Sequence, residues 1–401
     1  MRSGVLEIGT LALGTPLMLA PMAGVTDVPF RRLCRNMAEK ALTELGKDTV
    51  GHPRYAPAGL FVTEMVTARA LLEDNAETLR MVQPDPQEPV HSVQIYGVEP
   101  KTTAGAAAKL VSLGLADHID LNFGCPVPKV TRKGGGSALP WKTPLMVDLL
   151  QRTRTVIDRE DPTVPLTLKV RLGIDDGHQT WRDSLQIATD AGCAAITLHA
   201  RTTAQYYSGR ARWEKIAELV RAAQIPVFGN GDIFSGEDAR NMIAQTACAG
   251  VVVGRGAQGR PWIFADLVHA LSGSNVTATP TLCEVANIVV SHAELMANWL
   301  ADEARAMREM RKHIGWYLRG FSVGGQTRRA LGLVKTLEEL RTFLGALDLD
   351  QKYPPAAGGS RGRTGRAKTP HLPHGWLDSR ELSAADLQML ASASAYGGDG
   401  G

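Results

Sequence analysis

The side chains best placed for chemistry lie in Ile119-Asp-Leu-Asn-Phe-Gly-Cys125-Pro-Val-Pro-Lys129, a stretch that runs on through Thr131-Arg-Lys-Gly-Gly-Gly-Ser137. It reads as a short buried strand broken at Gly124 and Pro126. The break leaves the amide of Asn122 and the thiol of Cys125 at the carboxyl end, with a basic, glycine-rich loop behind them. Pro126 and Pro128 oppose both helix and central strand, so the chain after Cys125 is expected to be an irregular loop that places the thiol toward a cleft. The plainer reading makes Cys125 one more small apolar residue at a buried strand end.

Eight short apolar runs recur along the chain: Leu17-Met-Leu-Ala20, Leu60-Phe-Val-Thr63, Val90-His-Ser-Val-Gln-Ile95, His118-Ile-Asp-Leu121, Leu166-Thr-Leu-Lys-Val170, Ala195-Ile-Thr-Leu198, Pro226-Val-Phe228 and Gly250-Val-Val-Val253. Stretches of helical period, such as Pro100 to Leu113 and Trp181 to Ala191, separate most of them. Strand alternating with helix predicts parallel strands joined by crossovers, and eight units over about 250 residues match a closed (β/α)8 TIM barrel. An open doubly wound sheet is the competing architecture. In a barrel, active residues sit at the carboxyl ends of the strands. Those ends here carry Pro21-Met-Ala-Gly-Val-Thr-Asp27, Glu64, Gln94, Asn122 with Cys125, Lys169 with Arg171, His199 with Arg201, Asn230-Gly-Asp232, and Gly254-Arg-Gly. One polar strand end is usually a turn or a cap; a full ring of them is hard to read as capping alone.

Gly229-Asn-Gly-Asp-Ile and Gly254-Arg-Gly-Ala-Gln-Gly259 each lead from a strand toward a helix, so their backbone N–H groups can approach an anion closely, helped by Arg255 and Arg260. Strands seven and eight are also where such barrels commonly hold a phosphate. Gly254, Gly256 and Gly259 satisfy the dinucleotide fingerprint, but Thr277-Ala-Thr-Pro-Thr281 supplies neither the next strand nor its acid, so that reading is rejected. Phosphate at strands seven and eight, an amide at Gln94 and a cation at Lys169 fit a flavin mononucleotide (FMN) lying across the barrel mouth. The lysine would stabilise the negative charge of the reduced ring, and the amide would donate and accept at the same edge. Taken singly, Lys169 also reads as a rim ion pair with Glu64, and His199 as a satisfied core imidazole.

Composition bounds the rest. The chain has 401 residues, 44% apolar and 21% charged, which is enough for one large domain and a smaller one. A net charge of +3 is too small to announce a polyanion partner, so any such partner must be argued from a local patch. The five cysteines, at 34, 125, 193, 248 and 283, are scattered and form no C-x-x-C pair, which suits a reducing compartment and argues against a disulfide framework or a zinc site. No run of about 18 apolar residues and no signal-peptide core is present. A cytoplasmic, monomeric protein without metal or membrane partner is expected.

Leu19-Ala-Pro-Met-Ala-Gly-Val-Thr-Asp27, Val93-Gln-Ile-Tyr-Gly97, Asp120-Leu-Asn-Phe-Gly-Cys-Pro126, Leu168-Lys-Val-Arg171, Leu198-His-Ala-Arg-Thr202, Gly229-Asn-Gly-Asp-Ile233 and Gly254-Arg-Gly-Ala-Gln-Gly-Arg-Pro-Trp262 together resemble the tRNA-dihydrouridine synthases. The likeness is greatest to the bacterial B-type branch, spans roughly residues 12 to 345, and is most specific in the Asn-x-Gly-Cys-Pro element. It implies FMN reduced by NADPH, a hydride passed to C6 of a uracil ring, and a proton given to C5 from the other face by Cys125. A thiol with an ordinary pKa of about 8.5 is mostly protonated at neutrality and suits that role. The resemblance also implies that Pro21, Met22, Ala23, Gln94, Lys169, Asn230, Gly231, Asp232, Gly254 and Arg255 hold FMN. His199 matches a position near the cofactor, Arg201 one near the substrate, and Asn122 one that orients the uracil or the flavin.

A uridine inside folded tRNA must be unstacked before it reaches a flavin, so a surface is needed to grip the rest of the molecule. Thr281 to Leu347 is helical in period. Arg305, Arg308, Lys312 and Arg319 fall on one face there, opposite Met307, Met310, Ile314, Leu318 and Phe321. Lys129, Arg132 and Lys133 extend positive charge to the barrel mouth. The expected layout is a catalytic FMN barrel over residues 1–270, a helical tRNA-binding unit over 281–347, and a disordered glycine- and arginine-containing tail over 351–401. An insertion at Lys40 to Gly59 is expected on the catalytic face. The mobile element is expected to be the loop around Gly134-Gly-Gly136. The competing functions are a flavin barrel acting on a free pyrimidine or small enone, and a non-catalytic RNA-binding barrel.

Overall fold

The computed structural model describes residues 5–51, 54–361 and 365–395. Residues 52–53 of the expected insertion, and 362–364 and 396–401 of the expected tail, lie outside them. Strands β1 (Leu6–Ile8) and β2 (Leu11–Leu13) form an antiparallel hairpin, to which β4 (Tyr55–Ala56) adds beside β2. Strands β3 (Leu17–Leu19), β5 (Leu60–Thr67), β6 (Ser92–Tyr96), β7 (His118–Phe123), β8 (Leu166–Arg171), β9 (Ala195–His199), β10 (Val227–Asn230) and β11 (Gly250–Val253) close into a parallel eight-stranded barrel. The last pairing, Leu17 with Val251, seals it and excludes the open sheet. Each predicted apolar run overlaps a barrel strand.

The two-residue period of the strands sorts the side chains. Val93, Ile95, Ile119, Leu121, Leu166, Leu168, Ile196 and Leu198 are all buried in the core shared with the surrounding helices. Their alternating neighbours Ser92, Gln94, His118, Asp120, Asn122, Thr167, Lys169 and His199 line the interior. At the amino end, Ile8, Leu11 and Leu13 of the small sheet pack with Met18, Leu60, Phe228 and Val252 and close the barrel floor.

The insertion is not on the catalytic face. Helix Val28–Glu44 takes up its first residues, and the remainder runs beneath the barrel to β4. Arg54 there donates to the carbonyl of Thr163 at 2.8 Å, just before β8 begins. A connection that leaves a helix and enters a parallel strand emerges at the amino end of that strand, opposite the chemistry.

Helices Leu282–Leu300 and Glu303–Tyr317 follow the barrel, the first opened by a Thr281/Glu284 capping box and the second by Asp302 accepting from the Arg305 N–H. Met307, Met310, Ile314, Leu318 and Phe321 are buried against Val285, Val289, Ala293 and Met296, as the period requires. The pair docks on the barrel through Phe30, whose ring lies 5.6 Å from His292 and 5.8 Å from His313. Among the described residues no helix is long and apolar enough to cross a membrane.

The expectation of a disordered tail fails for its described residues. Arg361 is buried and donates to the carbonyls of Gly259, Trp316 and Ala357. Trp376 is 1% exposed, and helix Ala384–Ala395 follows it. Disorder read from the Pro-, Gly- and Arg-rich stretch missed the sparse apolar anchors beyond it, Leu372, Trp376, Leu377 and Leu382, which join the barrel core.

The placement of the insertion is testable. Arg54→Ala removes a half-exposed clip on the barrel floor, so unfolding free energy should fall by at most about 1 kcal/mol with catalytic rates unchanged. A slowed reaction in that variant would put this segment back at the active face.

Candidate active site

The interior polar residues of β6, β7 and β8 form one connected network. Asp120 accepts from Gln94 Nε2 and from Thr167 Oγ1, each at 2.6 Å. Gln94 Oε1 accepts from Asn122 Nδ2 at 2.8 Å, which fixes the way both amides point. Asn122 Oδ1 then accepts the backbone N–H groups of Gly124 at 3.1 Å and Cys125 at 2.9 Å, an Asx turn that swings the chain sharply after β7. Gln94 and Asn122 thus position Cys125.

Pro128 does not prevent a helix. It occupies the first helical position of the short turn Pro128–Thr131, where its missing N–H has no cost, and a 3-10 turn Gly136–Trp141 follows. Ser137 donates through both N–H and Oγ to the Cys125 carbonyl, each at 3.0 Å, so the loop folds back over the cysteine. Burial pushes the Cys125 thiol above its ordinary pKa, opposed by the Val127 N–H, Arg171 and Lys169, and the thiol is protonated at neutrality.

Lys169 is adjacent to Asn122 in the β7–β8 register. Burial and then Arg171 push its pKa from 10.5 down to about 7, with Asp120 and Cys125 opposing. Among the described residues its ammonium has no ion-pair partner, and Glu64 accepts from the Gly24 N–H instead of pairing with it. Arg171, two residues on along the same inward face, donates to the carbonyls of Gly124 at 2.8 Å, Thr202 at 3.0 Å and Tyr206 at 2.8 Å. The sequence places it with Lys169 at the end of its strand but assigns it no specific role.

At the ends of β9, β10 and β11 a cavity of about 1000 Å³ is lined by Arg201, Tyr207, Arg210, Asp232, Phe234 and Arg255. Asp232 was expected to hold the cofactor, but its carboxylate is taken by Arg201 Nη2 at 2.7 Å, Arg255 Nη2 at 3.2 Å and the Ala211 N–H at 2.7 Å. It holds two guanidinium groups in place. Arg201, expected at the substrate, is only 1% exposed and also bonds the Ser208 and Gly209 carbonyls, while among the described residues its buried Nη1 has no partner. That orphaned donor and the unpaired Lys169 fit an anionic, phosphate-bearing cofactor.

Other expected cofactor residues divide by orientation. Asn230 turns sideways and donates to the Val252 carbonyl at 2.7 Å. Gly231 has φ +125, and a methyl there would lie 2.6 Å from Ala211 Cβ, so the turn admits only glycine. His199 is buried and neutral, its pKa held well below 6.5 first by burial and then by Arg171, Lys169, Arg201 and Arg255. Pro21, Met22 and Ala23 form the rim turn after β3; Met22 Sδ would be 3.8 Å from a methyl on Gly254, bringing the first and last strand ends together. Arg260 points away and donates to the Phe234 carbonyl at 3.0 Å. Tyr207, absent from the sequence reading, lies beneath the guanidinium groups of Arg255 at 4.9 Å and Arg171 at 5.5 Å; as a loop residue it carried no periodic signal.

The expected RNA-facing cations are spread around the rim. Lys312 reaches the mouth: a methyl on Gly24 would lie 3.2 Å from its Nζ, and it pairs with Glu309 at 2.6 Å. Arg305 pairs with Glu77 at 2.8 Å, while Arg308, Lys129 and Arg132 are exposed.

Lys169 gives a pH test with a defined sign. Its folded pKa of about 7 lies below the ordinary 10.5, so between those values the unfolded chain holds a proton that the folded chain has released. Its contribution to stability therefore rises with pH across that window and is flat below it. Flavin-free Lys169→Met should lose this rise relative to the parent when denaturation midpoints are compared from about pH 6 to 10. Parallel profiles would show that the ammonium is not desolvated.

The dihydrouridine synthase (Dus) family profile matches residues 18–352. A Mycobacterium tuberculosis protein named "Probable tRNA-dihydrouridine synthase" is 46% identical over 399 residues, 99% of this chain and 98% of its own. A Mycobacterium leprae protein of the same name is 49% identical over 368 residues, covering 90% and 95%. The tRNA-dihydrouridine synthase B of Pseudomonas aeruginosa is 41% identical over 317 residues, covering 78% and 87%. With its interior thiol, amides and cations set on a closed barrel, this chain belongs to the dihydrouridine synthase family of oxidoreductases.

Proposed function

We propose that this protein reduces uridines of tRNA to 5,6-dihydrouridine, with FMN as its resident cofactor and NADPH as reductant. The observation that carries the proposal is the pairing of a protonated, backbone-fixed Cys125 thiol with a desolvated, unpaired Lys169 at the same barrel mouth. Bound FMN supplies the hydride that adds at C6 of the uracil ring.

The chain's own residues do the remaining work. Lys169 and Gln94 would hold FMN at its ring, and Arg201 Nη1, Arg255 and the Gly231 and Gly254 backbone would hold its phosphate. Cys125 gives its thiol proton to C5 of the uracil from the face opposite the flavin. The sulfur is left as a thiolate, which Arg171 and Lys169 stabilise through the same fields that oppose the upward push on its pKa. Arg171 also grips the Gly124 carbonyl, so the backbone before the cysteine is held while the proton leaves. Exposed Arg308, Lys129 and Arg132, with Lys312 at the rim, supply phosphate contacts that a free pyrimidine would not need.

In Cys125→Ser, FMN content should be unchanged and reduction by NADPH normal, while reoxidation of the reduced enzyme by tRNA slows by about 10²-fold or more. Unchanged reoxidation would remove Cys125 from the proton transfer, and equal turnover of free uracil would favour a small-molecule reductase. Arg308→Ala should weaken tRNA binding and lower the slope of log affinity against log salt by about 1. An unaltered slope would place Arg308 outside the RNA footprint.

A further inference from the structure

The loop after the proposed acid carries three consecutive glycines, Gly134 to Gly136, two of them at positive φ, +74 and +54. Such a sequence has high conformational entropy and would not hold a neighbouring thiol in one place unaided. Its inner side is bonded to Cys125 through Ser137. Its outer side is bonded to the C-terminal segment at both ends. Thr131 Oγ1 donates to the His371 carbonyl at 2.6 Å, and Arg132 meets His371 Nδ1 at 3.4 Å. At the other end Trp376 donates from Nε1 to the Ala138 carbonyl at 2.9 Å, and its ring lies so close over Gly134 that a methyl there would come within 2.7 Å.

Lys142, at the end of the loop, makes this docking specific. Its side chain is 2% exposed, and its ammonium donates to the carbonyls of Ser379 at 3.0 Å and Glu381 at 2.9 Å, pairs with Asp386 at 3.1 Å, and lies 4.9 Å from the Trp376 ring centre. All four partners belong to the C-terminal segment, and a lysine is buried only where such partners exist. Arg380 carries the attachment to the next unit, donating to Asp183 and to the Gln179 carbonyl while stacking 4.4 Å over Trp141.

We propose that residues 371–386 are a clamp that holds the acid-bearing loop in its proton-delivering position, with Trp376 as the central positioning residue. The clamp touches neither flavin nor uracil; it acts through Gly134, Ala138 and Ser137 on Cys125. This rests on the reading of Cys125 as the acid, so Cys125→Ser is carried through the same half-reaction measurements as a reference.

The test uses full-length protein with Trp376→Ala and Trp376→Phe. In Trp376→Ala, reoxidation by saturating tRNA should slow about tenfold or more, with KM for tRNA little changed and reduction by NADPH unaltered. Alkylation of Cys125 by iodoacetamide, followed by mass spectrometry, should accelerate relative to the exposed Cys283 of the same molecule. Trp376→Phe, which keeps the ring over Gly134, should recover most of the rate. Normal reoxidation in Trp376→Ala, a change confined to KM, or equal losses in both half-reactions would each overturn the clamp. A slow Cys125→Ser beside a normal Trp376→Ala removes the clamp alone, whereas a normal Cys125→Ser removes the acid and the clamp with it.

Discussion

The barrel interior is organised by one buried carboxylate. Asp120 accepts from Gln94 and Thr167, and each of those passes the constraint on. Thr167, having given its proton to Asp120, must accept from His118 Nε2 at 2.9 Å, so His118 Nδ1 accepts from Ser92 Oγ at 2.7 Å. Burial keeps that imidazole neutral, pushing its pKa down to about 3, which makes this single tautomer sufficient. On the other side Gln94 orients Asn122, and Asn122 orients the Cys125 backbone. A connected buried network has few low-energy arrangements, and here it fixes the direction of the hydrogen bonds that run from Ser92 to the Cys125 backbone.

Above that network the charge balance is uneven. Lys169, Arg171, Arg201 and Arg255 crowd the mouth, where Asp232 pairs with Arg201 and Arg255. Their mutual repulsion shows in the lowered pKa of Arg171, about 10 after burial has done most of the lowering, and in the neutral His199 between them. Folding holds this excess in place because Arg171 and Arg201 are bonded to carbonyls of the surrounding loops. Such a preorganised cationic site favours an anionic ligand without reorganising when it arrives. Two of these cations, Arg171 and Lys169, also favour the Cys125 thiolate over the thiol, so in the proposed reaction cofactor binding and proton release would depend on one electrostatic design.

How much of this was legible in the sequence followed from periodicity. The barrel was, because alternate apolar residues in eight runs must meet helices on one side. So was the grouping of Gln94, Asn122, Cys125 and Lys169, since each sits at a strand end whose position the fold dictates. Partners were not legible: no spacing rule brings Arg201 to Asp232 or Arg171 to the Gly124 carbonyl, because those bonds cross between units of the barrel. The insertion was misplaced for a simpler reason. It follows the helix, not the strand, and chain direction alone would have assigned it to the floor.

The tail shows why composition misleads about order. A segment judged by itself must bury enough apolar surface to offset the entropy of ordering every residue, and 351–366 does not. Attached to a folded barrel, it needs only anchors, since the covalent link makes docking intramolecular and raises the effective concentration of each contact. Arg361 and Trp376 are such anchors, each buried and each bonded to a backbone carbonyl of the barrel, Gly259 and Ala138 respectively. The loop they stabilise needs glycine for the opposite reason. A methyl at position 136 would lie 2.5 Å from the Cys125 carbonyl and one at position 134 would strike Trp376, so the close approach that ties the acid to its clamp excludes any side chain there. The glycines make the loop flexible in isolation and thin enough to be gripped from both sides, and order at the acid therefore depends on a segment far away in the chain.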